Sequence, residues 1–246
     1  MKLHLLMIHS TWIFLCIFHP VSNAQSTLVI NAVGQPPLNT ITHDGFMDEV
    51  AREAMKRIGY QLIIDHLPAE RGLRNANNGL IDGEMSRVKD IDNIYHNLIR
   101  VPEKIMNWDF CVFSMKPINL QTGWNGLANK NVAFINGWKV LEKNVPKSAA
   151  ITKTRNSQQL FTLLKRNRVD FIIYERWGGN SVLKELKLDE VSIQRPFLGS
   201  REMFIYLHKK HKALVPELSR ALAEMKKDGS YDRLIKKHLI IGTEEN

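Results

Sequence analysis

Apolar positions along this 246-residue chain change their period repeatedly. Thr27-Leu-Val-Ile-Asn-Ala-Val33 is a nearly unbroken apolar run, the pattern of a buried strand. Gln35-Pro36-Pro37-Leu38 turns away from it, because proline cannot donate to a central ladder. Met47, Val50, Ala54 and Ile58 then recur at helical spacing, and Gly59 ends that helix. Tyr60 to Asp65 predicts a second strand. Pro68 opens a short helix with Leu73 and Ala76 inside and Gly79 at its end. Leu80-Ile81-Asp82 then returns to the sheet. Residues 84–107 are less regular, residues 108–116 predict an apolar strand, and Lys116-Pro117 to Asn129 a loop.

A second alternating unit follows. Asn131-Val-Ala-Phe-Ile135 predicts a strand, and Asn136-Gly137 turns into a short helix. Ala149–Ile151 is a small strand. Asn156 or Ser157 caps a helix carrying Leu160, Leu163 and Leu164. Val169 to Tyr174 and Val191 to Gln194 are further strands, and Met203-Phe-Ile-Tyr-Leu207 another. Pro216 to Lys227 predicts a helix stopped by Asp228-Gly229, and Ser230 opens a last one. Strands alternating with helices imply parallel strands joined by crossover helices.

The first residues bear on the compartment. Lys2 is the only Lys, Arg, Asp or Glu before Asp44. An apolar stretch from about Leu5 to Phe18 follows, then Pro20 and the small-residue pattern Ser22-Asn23-Ala24. This is the order of a cleavable secretory signal over residues 1–24, and it predicts an exported, periplasmic chain beginning at Gln25. Cys16 leaves with the leader, so Cys111 stays as a single thiol in Phe110-Cys111-Val112-Phe113 and no internal disulfide can form. Without Lys2 the chain carries 33 basic against 25 acidic residues. The basic residues are spread along helices with acidic neighbours between them, which argues for solvated faces and against nucleic acid as a partner.

Between Gly45 and Gly83 the chain reads G-F-M-D-E-V-A-R-E-A-M-K-R-I-G-Y, then L-P-A-E-R-G-L-R-N-A-N-N-G-L-I-D-G. Leu160-x-x-Leu-Leu-Lys-Arg-Asn-Arg-Val-Asp170 and Glu224-Met-Lys-Lys-Asp-Gly-Ser-Tyr231 follow in order. Together these segments resemble the extracellular solute-binding proteins of family 3, the amino-acid-type periplasmic binding proteins, over essentially the whole exported chain. The resemblance implies an α/β, two-lobed type II periplasmic-binding-protein-like fold with two crossover strands. Lobe one would hold residues 25–113 and 203–246, and lobe two residues 118–198. Hinges would lie at about 114–117 and 199–202, with the strand around Phe110 making one crossing.

In open α/β sheets ligands sit beyond the carboxyl ends of strands, where helix N-termini also point. Glu175 lies five residues after Asp170, where the family carries an Asp that takes a ligand's ammonium group. The family also carries Thr-x-x-Arg about nine residues after the Asp matching Asp82. Here Asp90-Ile-Asp-Asn-Ile94 stands in that place without an arginine. Arg87 is the first substitute for the anion-binding group and Arg71 the second, since a guanidinium pairs bidentately with a carboxylate. Glu84 stands near enough to pair with Arg87. Gly137 and Trp138 match a segment that offers backbone N–H groups to an anion, with Trp138 where a small hydroxyl residue is usual. Trp177, Phe46 and Gln35 complete the candidate ligand-binding set.

Enzyme signatures are thin. The sequence has no Gly-x-Ser-x-Gly elbow and no His-Glu-x-x-His, and His208-Lys-Lys-His211 lacks acidic or cysteine neighbours. No catalytic residue, metal or cofactor is expected. The resemblance implies a monomer that captures a small polar, amino-acid-like solute for an ABC permease. A sensor accessory to a kinase or chemoreceptor, and a dehydratase-like enzyme on the same fold, are the competing expectations.

Overall fold

The computed structural model describes residues 26–240; the signal sequence expected over residues 1–24 lies outside the described residues. The first half is built on β1 (Thr27–Asn31), β2 (Gln61–Asp65) and β3 (Gly83–Val88), with β1 parallel to both others. Helix α1 (Phe46–Arg57) links β1 to β2 and α2 (Ala69–Asn77) links β2 to β3. The apolar stripe of α1 is buried, as its spacing requires. Asp48 fixes its start by accepting the backbone N–H groups of Gly45 and Thr40 at 3.1 and 2.9 Å. Gly59, at φ +82°, lets the chain leave the helix.

The second half repeats the plan. Strands β6 (Asn131–Ile135), β7 (Ala150–Thr154) and β8 (Phe171–Glu175) are parallel. Helices α3 (Lys139–Asn144), α4 (Ser157–Lys165) and α5 (Arg176–Leu186) follow β6, β7 and β8 respectively. Asn156 caps α4 by accepting the Gln159 N–H at 2.9 Å.

Two long strands join the halves. β5 (Met106–Ser114) and β10 (Gly199–His208) pair antiparallel from Met106↔Met203 to Phe110↔Gly199. Beyond that stretch β10 pairs with β3 and with the short β4 (Leu98–Arg100), and β5 pairs with β8 and the two-residue β9 (Ser192–Ile193). The sheet therefore runs β2-β1-β3-β10-β5-β8-β6-β7 through both halves. Helices α6 (Leu214–Lys227) and α7 (Ser230–Ile235) close against α1.

The all-parallel expectation is corrected at β4, β5, β9 and β10, which are antiparallel. The strand expected at Leu80–Asp82 begins instead at Gly83. Asp82 is drawn aside because its carboxylate accepts the Val29 N–H at 2.8 Å and pairs with Lys210 and His211 at 2.8 and 2.7 Å. Among the described residues no helix is long and apolar enough to cross a membrane. Cys111 is fully buried, and burial, with Glu175 nearby, pushes its thiol well above the usual range.

Candidate functional site

The loops after the parallel strands of the two halves face each other. Ala32–Gln35 follows β1 and His66–Ala69 follows β2; Asn136–Trp138 follows β6 and Arg155–Asn156 follows β7. A chamber of about 400 Å³ opens between them, within the usual size range of small-molecule sites. Gln35, His66 and Leu67 line it from one half, and Trp138, Arg155 and Ser157 from the other. Tyr174 backs Trp138, with ring centroids 4.7 Å apart and planes 28° from parallel. A smaller cavity of about 20 Å³ lies on another side of Trp138, lined by Ser86, Arg87, Trp108 and Gly137 among others. Ser86 Oγ and Trp108 Nε1 are buried without a hydrogen-bond partner among the described residues.

Arg87 borders the small cavity, but its charge is already answered. Its guanidinium lies 2.5 Å from Glu84 and donates to the Ala69 carbonyl at 2.9 Å. Asn31 also donates to the Glu84 carboxylate, at 3.2 and 3.3 Å. Glu84 is fully buried, and burial pushes its carboxyl up to about 7 against the opposing pull of Arg87. The backbone of α2 passes directly over this group. A Cβ at Gly72 would lie 2.1 Å from Asn31 Nδ2 and 2.4 Å from Glu84 Oε1, so only glycine fits.

Glu175 is the last residue of β8 and the N-cap of α5. Its two oxygens accept the N–H groups of Trp177 and Gly178 at 2.8 and 2.7 Å. Burial pushes its carboxyl up to about 7, and those two hydrogen bonds pull the other way.

The structure thus distributes the sequence candidates. Gln35 and Trp138 line the chamber, and Arg87, Gly137 and Trp138 line the small cavity. Glu175, Trp177, Phe46 and Arg71 line neither. Phe46 is core, edge-on to Tyr231. Trp177 lies under the Arg176 guanidinium at 4.4 Å, and Arg71 is exposed on α2. The sequence argument missed His66, Arg155, Ser157 and Tyr174. The strand-end rule reaches the first three, which stand one to three residues beyond β2 and β7.

The two halves touch through specific groups. Lys139 of α3 reaches Glu70 of α2 at 2.8 Å and Glu142 at 3.0 Å. Glu70 also accepts from Tyr95 and Arg74, each at 3.2 Å, and Glu142 pairs with Lys153 at 2.8 Å. Burial disfavours charge on all three central groups, yet their mutual bonds dominate. Glu70 and Glu142 are held below the usual carboxylate range and Lys139 above the usual ammonium range. Gly137, at φ +85°, sits so close to α2 that a Cβ there would lie 2.6 Å from the Glu70 nitrogen.

No family model matches the chain. A protein of Shewanella oneidensis, known only as an uncharacterised protein, is 22% identical over 246 residues, covering 90% of this chain and 89% of its own length. An ancestral arginine-binding protein bound to arginine superposes with a TM-score of 0.73 at 20% identity, covering 87% of this chain and 98% of that one. The amino-acid ABC transporter substrate-binding protein AbpA of Streptococcus pneumoniae, bound to L-arginine, gives 0.72 at 18% identity, covering 86% and 94%. The chain has the type II periplasmic-binding-protein fold. The likeness read from the sequence and the likeness of the structure point to the same group, the amino-acid-type solute-binding proteins.

Proposed function

We propose that the protein is an exported solute-binding protein that closes two lobes on a small polar, amino-acid-sized solute and presents it to a membrane ABC importer. The observation that carries this reading is the chamber of about 400 Å³ between strand ends of both halves. A solute there touches both lobes at once and so stabilises the closed state alone. The hinge is the β5–β10 pairing from Met106↔Met203 to Phe110↔Gly199, where two adjacent strands can twist together without breaking either half.

Binding rather than turnover also suits the chemistry. The buried carboxylates Glu84 and Glu175 are both engaged, one by Arg87 and Asn31, the other by the first turn of α5. The test combines native mass spectrometry of the purified exported chain with small-angle scattering. A retained or added solute is expected to reduce the radius of gyration while leaving the circular dichroism spectrum unchanged. A solute that binds without any contraction counts against lobe closure.

A further inference from the structure

We infer that the solute is an anion with an apolar body and no ammonium group, held by Arg155 against the apolar wall of the chamber. This rests on the solute-binding reading and narrows it. Among the described residues Arg155 is the only Arg, Lys, Asp or Glu lining the chamber. Among the described residues it has no carboxylate partner within 4.0 Å, unlike Lys139, Arg87 and Arg176, which are all paired. An anion entering the chamber meets a free guanidinium, the arrangement best suited to bidentate carboxylate capture.

The surroundings of Arg155 favour the same charge. Ser157 lies just beyond it, 1% exposed, and lines the chamber beside Asn156 and Gln159. Asn156 satisfies the Gln159 N–H, while the Ser157 and Gln158 N–H groups of the first turn of α4 have no intrahelical acceptor. Of these two residues Ser157 lines the chamber, so its N–H adds a donor there. The opposite requirement, an anionic partner for an ammonium, is unmet. The nearby carboxylates are spent on Arg87, on Lys139 and Lys153, and on the N-terminus of α5, and none lines the chamber. An α-amino acid would bring its ammonium group into a site with a cation and no counter-charge.

The body of the solute is set by the other walls. Trp138, stacked on Tyr174 and almost wholly buried, lines the chamber together with Ile135, and Leu67, Pro68 and Ala69 line it from the other lobe. An apolar body such as a phenyl ring gains burial against these side chains.

The experiment uses three probes on one skeleton: 3-phenylpropionate, L-phenylalanine and 2-phenylethylamine. Calorimetry and thermal shift on the exported chain are expected to show binding of 3-phenylpropionate, at least tenfold weaker binding of L-phenylalanine, and none of the amine. Arg155→Gln should weaken 3-phenylpropionate about 10- to 100-fold, the range for a lost hydrogen bond to a charged group. Arg155 is exposed, so the variant should melt as the parent does without probe. Equal binding of L-phenylalanine, no binding of any probe, or unchanged binding by Arg155→Gln overturns the inference. Native mass spectrometry separates that failure from failure of the broader reading. A retained zwitterionic amino acid removes the anion assignment and keeps solute capture. A protein that retains nothing, and is shifted by neither the probes nor the twenty amino acids, loses both.

Discussion

Arg87 is held on two sides by its own lobe, and this changes what its removal should do. Glu84 and Arg87 are three residues apart on β3, a spacing that normally places side chains on opposite faces of a strand. The ladder explains their meeting. Three steps along β3, from Glu84 to Arg87, oppose two along β10, from Tyr206 to Phe204, so β3 carries an extra residue that brings both side chains to one side. No periodicity in the sequence announces such a bulge; only the closeness of Glu84 to Arg87 along the chain suggests their pairing. Arg87→Ala leaves Glu84 buried without its counter-charge and should destabilise the unliganded protein by about 3–5 kcal/mol. The pH dependence has a definite sign. Glu84 is pushed up to about 7, so its contribution to stability is full below its unfolded value, near 4.5, and is lost as pH rises through about 7. Without Arg87 that loss continues to higher pH, so the deficit of the variant should widen above about pH 7. Urea unfolding of both proteins at pH 5, 7 and 9 checks this; a variant as stable as its parent at pH 9 contradicts the ion pair.

At the scale of elements, alternation of strand and helix was legible because apolar period and glycine punctuation act locally. The direction of β5 and β10 was not legible, since both are simply apolar runs and their antiparallel pairing depends on partners some ninety residues away. The junction of β8 and α5 shows the same limit. Glu175 stands at the spacing expected of a ligand-binding carboxylate, and its two oxygens instead close the first turn of α5. Behind it, α5 is pressed onto β5, where a Cβ at Gly179 would lie 2.1 Å from Phe113 Cζ. Glu175→Ala removes both acceptors and should cost about 1–2 kcal/mol, as loss of a good cap does. For a chain of this size each kcal/mol is about 2–4 °C in melting temperature. Hydrogen exchange should localise the change, with the Trp177 and Gly178 amides exchanging faster than in the parent. Unchanged protection at those two amides would show that the cap carries no weight in solution.

At the scale of the whole molecule, the proposed closure is limited by how nearly α2 and the β6–α3 turn can approach. Two devices act at that one place. Gly137 gives the room, and the Lys139–Glu70 bond gives the attraction. The strand-end rule leads to the loops that border the chamber and, at Gly137, the smaller cavity. The latch was not legible, because Glu70 and Lys139 are surface-type residues sixty-nine positions apart and only the folded arrangement makes them neighbours. Lys139→Met removes the attraction while leaving Glu70 bonded to Arg74 and Tyr95, and Glu142 bonded to Lys153. A partly exposed pair of this kind contributes about 1 kcal/mol at most, enough to shift an open–closed ratio about fivefold. Gly137→Ala acts sterically and more strongly, because its methyl would meet the α2 backbone and its φ is one that alanine adopts only under strain. Small-angle scattering of the solute-free proteins should therefore give radii of gyration in the order parent, Lys139→Met, Gly137→Ala, from smallest to largest. With solute present, Lys139→Met should contract to the parent value, since added binding energy outweighs one ion pair. Gly137→Ala should stay expanded and bind more weakly, because no affinity within the chamber removes the clash outside it. If Gly137→Ala contracts and binds as the parent does, the lobes do not meet at Gly137 and Glu70 in solution.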